Sequence, residues 1–198
     1  NIQSTALSSL TISALSALNA THIAALNSTQ LKGFSATQIA SLAPDQIAEF
    51  SADQLTALTP AAFKAISTSA LAALSSTQLA SLGKTQIASL TATQLLSLSP
   101  TQFTELPISQ WTALTATQIG YLNSDVISAL TSTMLSALST TQIKGITSTA
   151  LSQLSATQIA AFSSTQLSAL TRTQITALSA TDVAELTPTE LAAMSSTM

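Results

Sequence analysis

The sequence predicts an all-α solenoid of very short helices, one for each eight-residue repeat. Three observations predict it. First, an octad with the consensus Ser/Thr-x-Thr-Gln-Ile/Leu-x-Ala-Leu recurs without insertion or deletion from Gln3 to Met198. Second, each octad opens on a helix-start signal. Third, its two apolar positions lie three apart, a spacing that shares a face on a helix but splits across the two faces of a strand. A fixed period of this kind marks an array in which each copy buries its neighbours' apolar faces.

Position one is Ser, Thr or Asn in 21 of 25 copies, the exceptions being Gln3, Ala43, Gly83 and Pro107. Position three is Thr, Ser or Asp in every copy but that of Ala61, and position four is Gln or Glu in 15 of 25. A hydroxyl residue followed three places later by Gln or Glu is a capping box. The hydroxyl accepts from the fourth residue's N–H, and the longer side chain reaches back to the cap's N–H. Proline placement gives an independent check. Pro44, Pro60, Pro100 and Pro188 follow the cap directly, at the first helical position, where a missing N–H costs nothing. Each also forces the cap before it into the extended backbone a cap needs. Positions five (Leu7 to Leu191) and eight (Leu10 to Met194) are large and apolar throughout, and form the expected core. The small residues of position seven would let neighbouring helices approach.

Along the chain the register never slips. Residues 1–18 replace Gln with Ala6 and Ala14 but keep Leu7, Leu10, Leu15 and Leu18. Residues 19–58 are regular, with His22 in the Gln column and Asp45 and Asp53 in the Thr column. Residues 59–74 carry Ala62 and Ala70 in place of Gln, and every copy within 75–122 carries Gln. Residues 123–138 loosen to Val126 and Met134, and residues 139–198 return to pattern. No linker or composition shift marks a boundary. The expectation is one continuous solenoid over residues 1–198, cut mid-pattern from a longer array.

Competing architectures fit worse. In an unbroken helix, eight residues advance about 800°, so the apolar stripe would drift about 80° per octad and bury nowhere. A β-solenoid would need turn glycines, and the chain has four. A helix broken once per octad remains, about six or seven residues or roughly 10 Å long, and too short to be stable alone. The non-Leu residues of position eight, Phe34, Phe50, Ile66, Ile146, Phe162 and Met194, all differ by multiples of sixteen. That phase favours a sixteen-residue coil of two helices. The one-residue junction argues the other way, because antiparallel helices are joined by about 2–5 residues. Three or four helices per coil therefore stay open.

Composition excludes several function classes. Charged residues are 7% and aromatics 4%, with a net charge of −3. Lys32, Lys64, Lys84, Lys144 and Arg172 are scattered, so no basic stripe exists for nucleic acid. There is no cysteine, hence no disulfide framework or thiol chemistry. No apolar run approaches the ~18 residues of a membrane span.

No constellation of catalytic, cofactor-binding or metal-ligating residues emerges, and an enzyme is not expected. His22, the single histidine, stands in the Gln column and reads as a capping stand-in. Glu49, Glu105 and Glu185 share the small-residue column but lie too far apart in sequence for paired-carboxylate work. Asp45, Asp53 and Asp125 sit in first turns, where negative charge is favourable. Trp111 occupies the core column. Tyr121 occupies the small column, so its ring should emerge at an edge as a candidate contact residue. The pairs Thr91/Thr93, Thr115/Thr117 and Thr171/Thr173 resemble the Thr ladders of insect-type ice-binding solenoids. Those ladders need strand spacings of about 4.7–4.9 Å, whereas stacked helices stand about 8–10 Å apart.

The run Leu170-Thr171-Arg172-Thr173-Gln174-Ile175-Thr176-Ala177-Leu178 resembles the octapeptide tracts of large secreted bacterial surface proteins of adhesin-like or RTX-like type. The resemblance spans the whole chain. It implies an extracellular structural or adhesive role as a stalk, spacer or self-assembling filament, with self-association through solenoid ends or faces and a possible surface or matrix ligand. The Gly- and Asp-rich calcium nonapeptides of those proteins are absent, so calcium is not carried over. The alternative is a ligand- or ice-binding solenoid using the Ser/Thr rows.

Overall fold

The computed structural model describes Leu7 and residues 9–195. Among these residues each octad from Thr11 onward builds one α-helix, 23 in all, from Ile12–Ser16 to Pro188–Ser195, and no strand is present. Most helices run four to six residues, shorter than the six or seven expected from the pattern.

Helix Ala52–Ala57 shows the construction. Its cap, Ser51, is extended (φ −65°, ψ 163°), and the residue after its last turn, Leu58, is extended too (φ −62°, ψ 139°). Positions eight and one therefore form a two-residue extended junction between successive helices. No described residue has a positive φ, so the break needs no left-handed C-cap and no glycine. That is how an array of two dozen turns manages with four glycines.

The capping box forms as the sequence predicts. In Ser51–Gln54 the hydroxyl accepts from the Gln54 N–H at 3.2 Å and the Gln54 carbonyl oxygen accepts from the Ser51 N–H at 2.9 Å. Ala43 and Gly83 lack a side-chain acceptor, and only the returning half survives there. Pro44, Pro60 and Pro100 take the first helical turn. Pro107 is itself the cap (φ −58°, ψ 147°), and having no N–H it cannot close the box with Gln110.

Leucine, isoleucine and phenylalanine at positions five and eight form the core, and Phe63, Phe103 and Trp111 are wholly buried. Toward the ends the expectation fails, with Val183 and Leu191 of position five exposed and Leu10, Leu18, Leu26, Ile175 and Leu178 only half-buried. The Trp111 indole N–H donates to the Phe103 carbonyl at 3.2 Å. The two rings stand 5.8 Å apart at 44°, so this buried indole is both packed and hydrogen-bonded.

The chain divides into two compact units, Asn1–Leu98 and Ser99–Met198. Within each, a helix packs on the helix three octads later. In the first, Ala36–Ala40 lies on Pro60–Lys64 and Thr68–Ala72 on Ala92–Ser97. In the second, Ala116–Tyr121 lies on Thr140–Gly145 and Ser164–Ser168 on Pro188–Ser195. The favoured sixteen-residue coil of two helices is therefore not what forms. A coil closes between three and four octads. The junction residues are both extended where Leu58 and Ser51 show them, and packing goes to the helix three octads on rather than back onto the preceding one.

Candidate functional site: the glutamine column and a glycine-floored groove

Position four carries more chemistry than a capping box requires. Its glutamines are buried except for Gln78, Gln102 and Gln158, which are half-buried. With the Gln carbonyl oxygen occupied by the cap, the amide nitrogen is left to donate. It does so across coils. Gln38 Nε2 donates to the carbonyls of Leu7 and Leu10, 31 and 28 residues earlier, at 2.9 and 3.1 Å. Gln54 repeats this with Ile23 and Leu26, both at 2.8 Å. In the second unit Gln142 donates to Trp111 and Leu114, both at 2.8 Å, and Gln174 to Ile143 and Ile146 at 2.8 and 2.7 Å. The acceptors are carbonyls at the end of an earlier helix, where the intrahelical ladder runs out; those of Leu7, Ile23, Trp111 and Ile143 accept a backbone N–H from three residues on as well. One side chain thus starts its own helix and finishes the helix four octads back.

Sequence reasoning recognised the cap and missed this stitch. A signal was available. A capping box tolerates Glu as well as Gln, yet the column holds fourteen Gln and one Glu. Only the amide brings a donor. Where Ala62, Ala70, Val126, Met134 and Ala150 replace it, the position is still buried, so burial there does not depend on the amide, whereas the cross-coil hydrogen bonds do.

The other candidates fall where their local roles put them. His22 closes its box through Nδ1, which accepts from the Asn19 N–H at 3.3 Å. Asp45, Asp53 and Asp125 stand in first helical turns. Glu49, Glu105 and Glu185 are each the residue capping a different helix's C-terminus. The structure does not gather them. The Thr91 and Thr93 hydroxyls pair with each other at 3.0 Å, as do those of Thr171 and Thr173. The first of each pair also accepts from its glutamine N–H. No group of three His, Cys, Asp or Glu side chains able to hold a metal occurs among the described residues, and no described helix is long and apolar enough to cross a membrane.

A second feature lies on the surface of the second unit. Helices Ala116–Tyr121 and Thr140–Gly145 come close enough that a Cβ built on Gly145 would run into the Ala116 carbonyl, standing 2.8 Å from its carbon. A Cβ on Gly120 would stand 3.0 Å from the Gly145 carbonyl oxygen. The small residue expected at position seven is here a geometric necessity. Along this contact runs a groove of about 480 Å³, lined by Ala116, Thr117, Gly120, Tyr121, Thr141, Lys144 and Gly145. Tyr121 is 44% exposed, as its place in the small column predicts.

Residues 49–84, which span four whole octads, match the family described as the ALTTAQ repeat. The chain is a repeat protein. The matched stretch includes the copies of Ala62 and Ala70, so the similarity does not depend on an unbroken glutamine column. No curated protein matches the chain.

Proposed function

We propose that this repeat protein is a structural and adhesive element of the cell exterior, a stalk, spacer or self-assembling filament without catalytic activity. The supporting observation is the glutamine stitch. Within each unit it joins one coil to the next with the same donor and a recurring acceptor 28 residues earlier, the second acceptor lying 30 or 31 residues earlier, so a further coil can be added by the same chemistry. That coil can come from the same chain or from a second copy. Arrays built from nearest-neighbour contacts extend without redesign, and a head-to-tail contact that does not close gives a fibre. Low charge and a surface of Ser, Thr and Ala suit a passive extended part.

Electron microscopy and analytical ultracentrifugation of the purified protein test the assembly reading. Concentration-dependent chains of particles are expected, and a strictly monodisperse species at high concentration would sink self-assembly and leave the spacer. Protease shaving of intact cells tests the location; full protection of the protein in unbroken cells would exclude the exterior. Thermal hysteresis with faceted ice crystals would displace this reading in favour of an ice-binding one.

A further inference from the structure

We propose that the groove between Ala116–Tyr121 and Thr140–Gly145 binds an acidic saccharide. A repeat supplies its own background. Cap, box, core and packing account for the residue at most positions of most copies, so a residue that none of them needs stands out. Tyr121 is such a residue. It is the single tyrosine of the chain. All five phenylalanines and Trp111 are buried, so it is the exposed aromatic among the described residues. Its column calls only for a small residue, and its side chain is 44% exposed. Lys144, one of five basic residues in the chain, is also exposed, in the helix that packs on Tyr121's own. The two stand twenty-three positions apart in sequence and line one groove.

The groove's form follows from Gly120 and Gly145. The close approach of the backbones demands glycine, and the same absence of side chains leaves a low floor between a ring and an ammonium. Thr117 and Thr141 add hydroxyls along the rim. An open trough with an aromatic platform, neutral hydroxyls and one cation matches a pyranose. The sugar's C–H face lies on the ring, its hydroxyls exchange hydrogen bonds with the threonines, and a ring carboxylate pairs with the ammonium. No carboxylate side chain lines the groove, so the cation has no acidic neighbour there to neutralise it. A neutral sugar would leave Lys144 unused. A nucleic acid or polyphosphate would call for several cations, where this groove has one.

The proposal gives a ligand class to the adhesive reading and rests on it for biological setting, but its geometry is independent of assembly. The test is an NMR titration of the full chain, isotope-labelled, with tetragalacturonic acid, using a neutral galactose tetramer as control. Saturable shifts are expected at Gly120, Tyr121, Thr141 and Lys144, with a Kd on the order of 1 mM or tighter for the acidic ligand. Tyr121→Ala should weaken both ligands about tenfold, a loss of one decade in Kd, whereas Tyr121→Phe keeps the platform and should retain binding. Lys144→Gln should weaken the acidic ligand about two- to fivefold, the range of an exposed ion pair, and leave the neutral one unchanged. Both side chains are exposed, so thermal melts of the variants should match the parent. Absence of groove shifts with either saccharide, or unaltered binding by Tyr121→Ala, overturns the proposal. Tighter binding of an acidic peptide than of any saccharide overturns the ligand class. Sedimentation of the parent protein reads assembly separately, so a monodisperse species with groove shifts intact would count against the assembly reading alone.

Discussion

At the scale of the residue, the informative side chain is glutamine rather than leucine. Gln142 is buried and uses both ends of its amide: the oxygen accepts from the Ser139 N–H at 2.9 Å, and the nitrogen donates to Trp111 and Leu114. Gln142→Glu keeps the acceptor, removes both donations and turns a negative charge toward two carbonyls. An uncompensated buried charge costs about 3–5 kcal/mol, so denaturant unfolding should show a loss of that size. The loss should shrink at acid pH, where a protonated carboxyl can donate again. Gln142→Met, which gives up the hydrogen bonds but introduces no charge, should cost clearly less. Gly145→Ala sets two effects against each other. Alanine gains about 1 kcal/mol of helix propensity, but its methyl group would meet backbone atoms of Ala116 that cannot rotate away. Overpacking of about 1–3 kcal/mol or more wins. A lowered melting temperature is expected, and an unchanged or raised one would show that the two helices can separate cheaply.

At the scale of the element, each helix is too short to stand alone and depends on its caps and its neighbours. The last described helix, Pro188–Ser195, is the exception in its chemistry. Glu190 replaces glutamine, and its carboxylate accepts from the Thr187 N–H at 2.7 Å and from the Thr187 hydroxyl at 2.8 Å. These bonds hold its pKa below the ordinary 4.5, the backbone N–H contributing most. Because the folded value is depressed, the cap's contribution is complete above the unfolded value and disappears as pH falls through the folded one. Amide-exchange protection factors in residues 188–195 should therefore fall below pH 4.5, while Glu190→Gln should abolish that acid sensitivity. Ser179–Asp182 is a second carboxylate cap, with the Asp182 side chain accepting from the Ser179 N–H at 2.7 Å.

At the scale of the whole molecule, stability is distributed along the chain rather than concentrated in one centre. Helices contact those three octads away, and glutamines reach carbonyls four octads away, within each of the two units. Leu122→Ala removes a buried position-eight side chain and should cost about 2–5 kcal/mol. In a nearest-neighbour array that loss should stay local. Hydrogen exchange should rise mainly in the octads of the neighbouring coils, with residues 30–60 nearly unaffected. A uniform rise across the chain would mean that the array unfolds as one cooperative body.

The sequence alone determined the unit: where each helix starts, which residues close its cap, where proline is tolerated and which two positions are buried. All of these are local, because a capping box spans four residues and a helical face spans four. The surface place of Tyr121 and the core place of Trp111 followed from the same column logic. Only the tertiary structure decided how the units close into a coil. The phase of Phe34, Phe50, Ile66 and their fellows suggested sixteen residues, but the contacts run at three and four octads. Coil closure is a relation between residues about thirty positions apart, which no local pattern links. The second role of glutamine was hidden for the same reason. Its oxygen acts within its own octad and can be read there, while its nitrogen meets Leu7, Ile23 or Trp111 about thirty residues away, a distance that only the closed coil makes short.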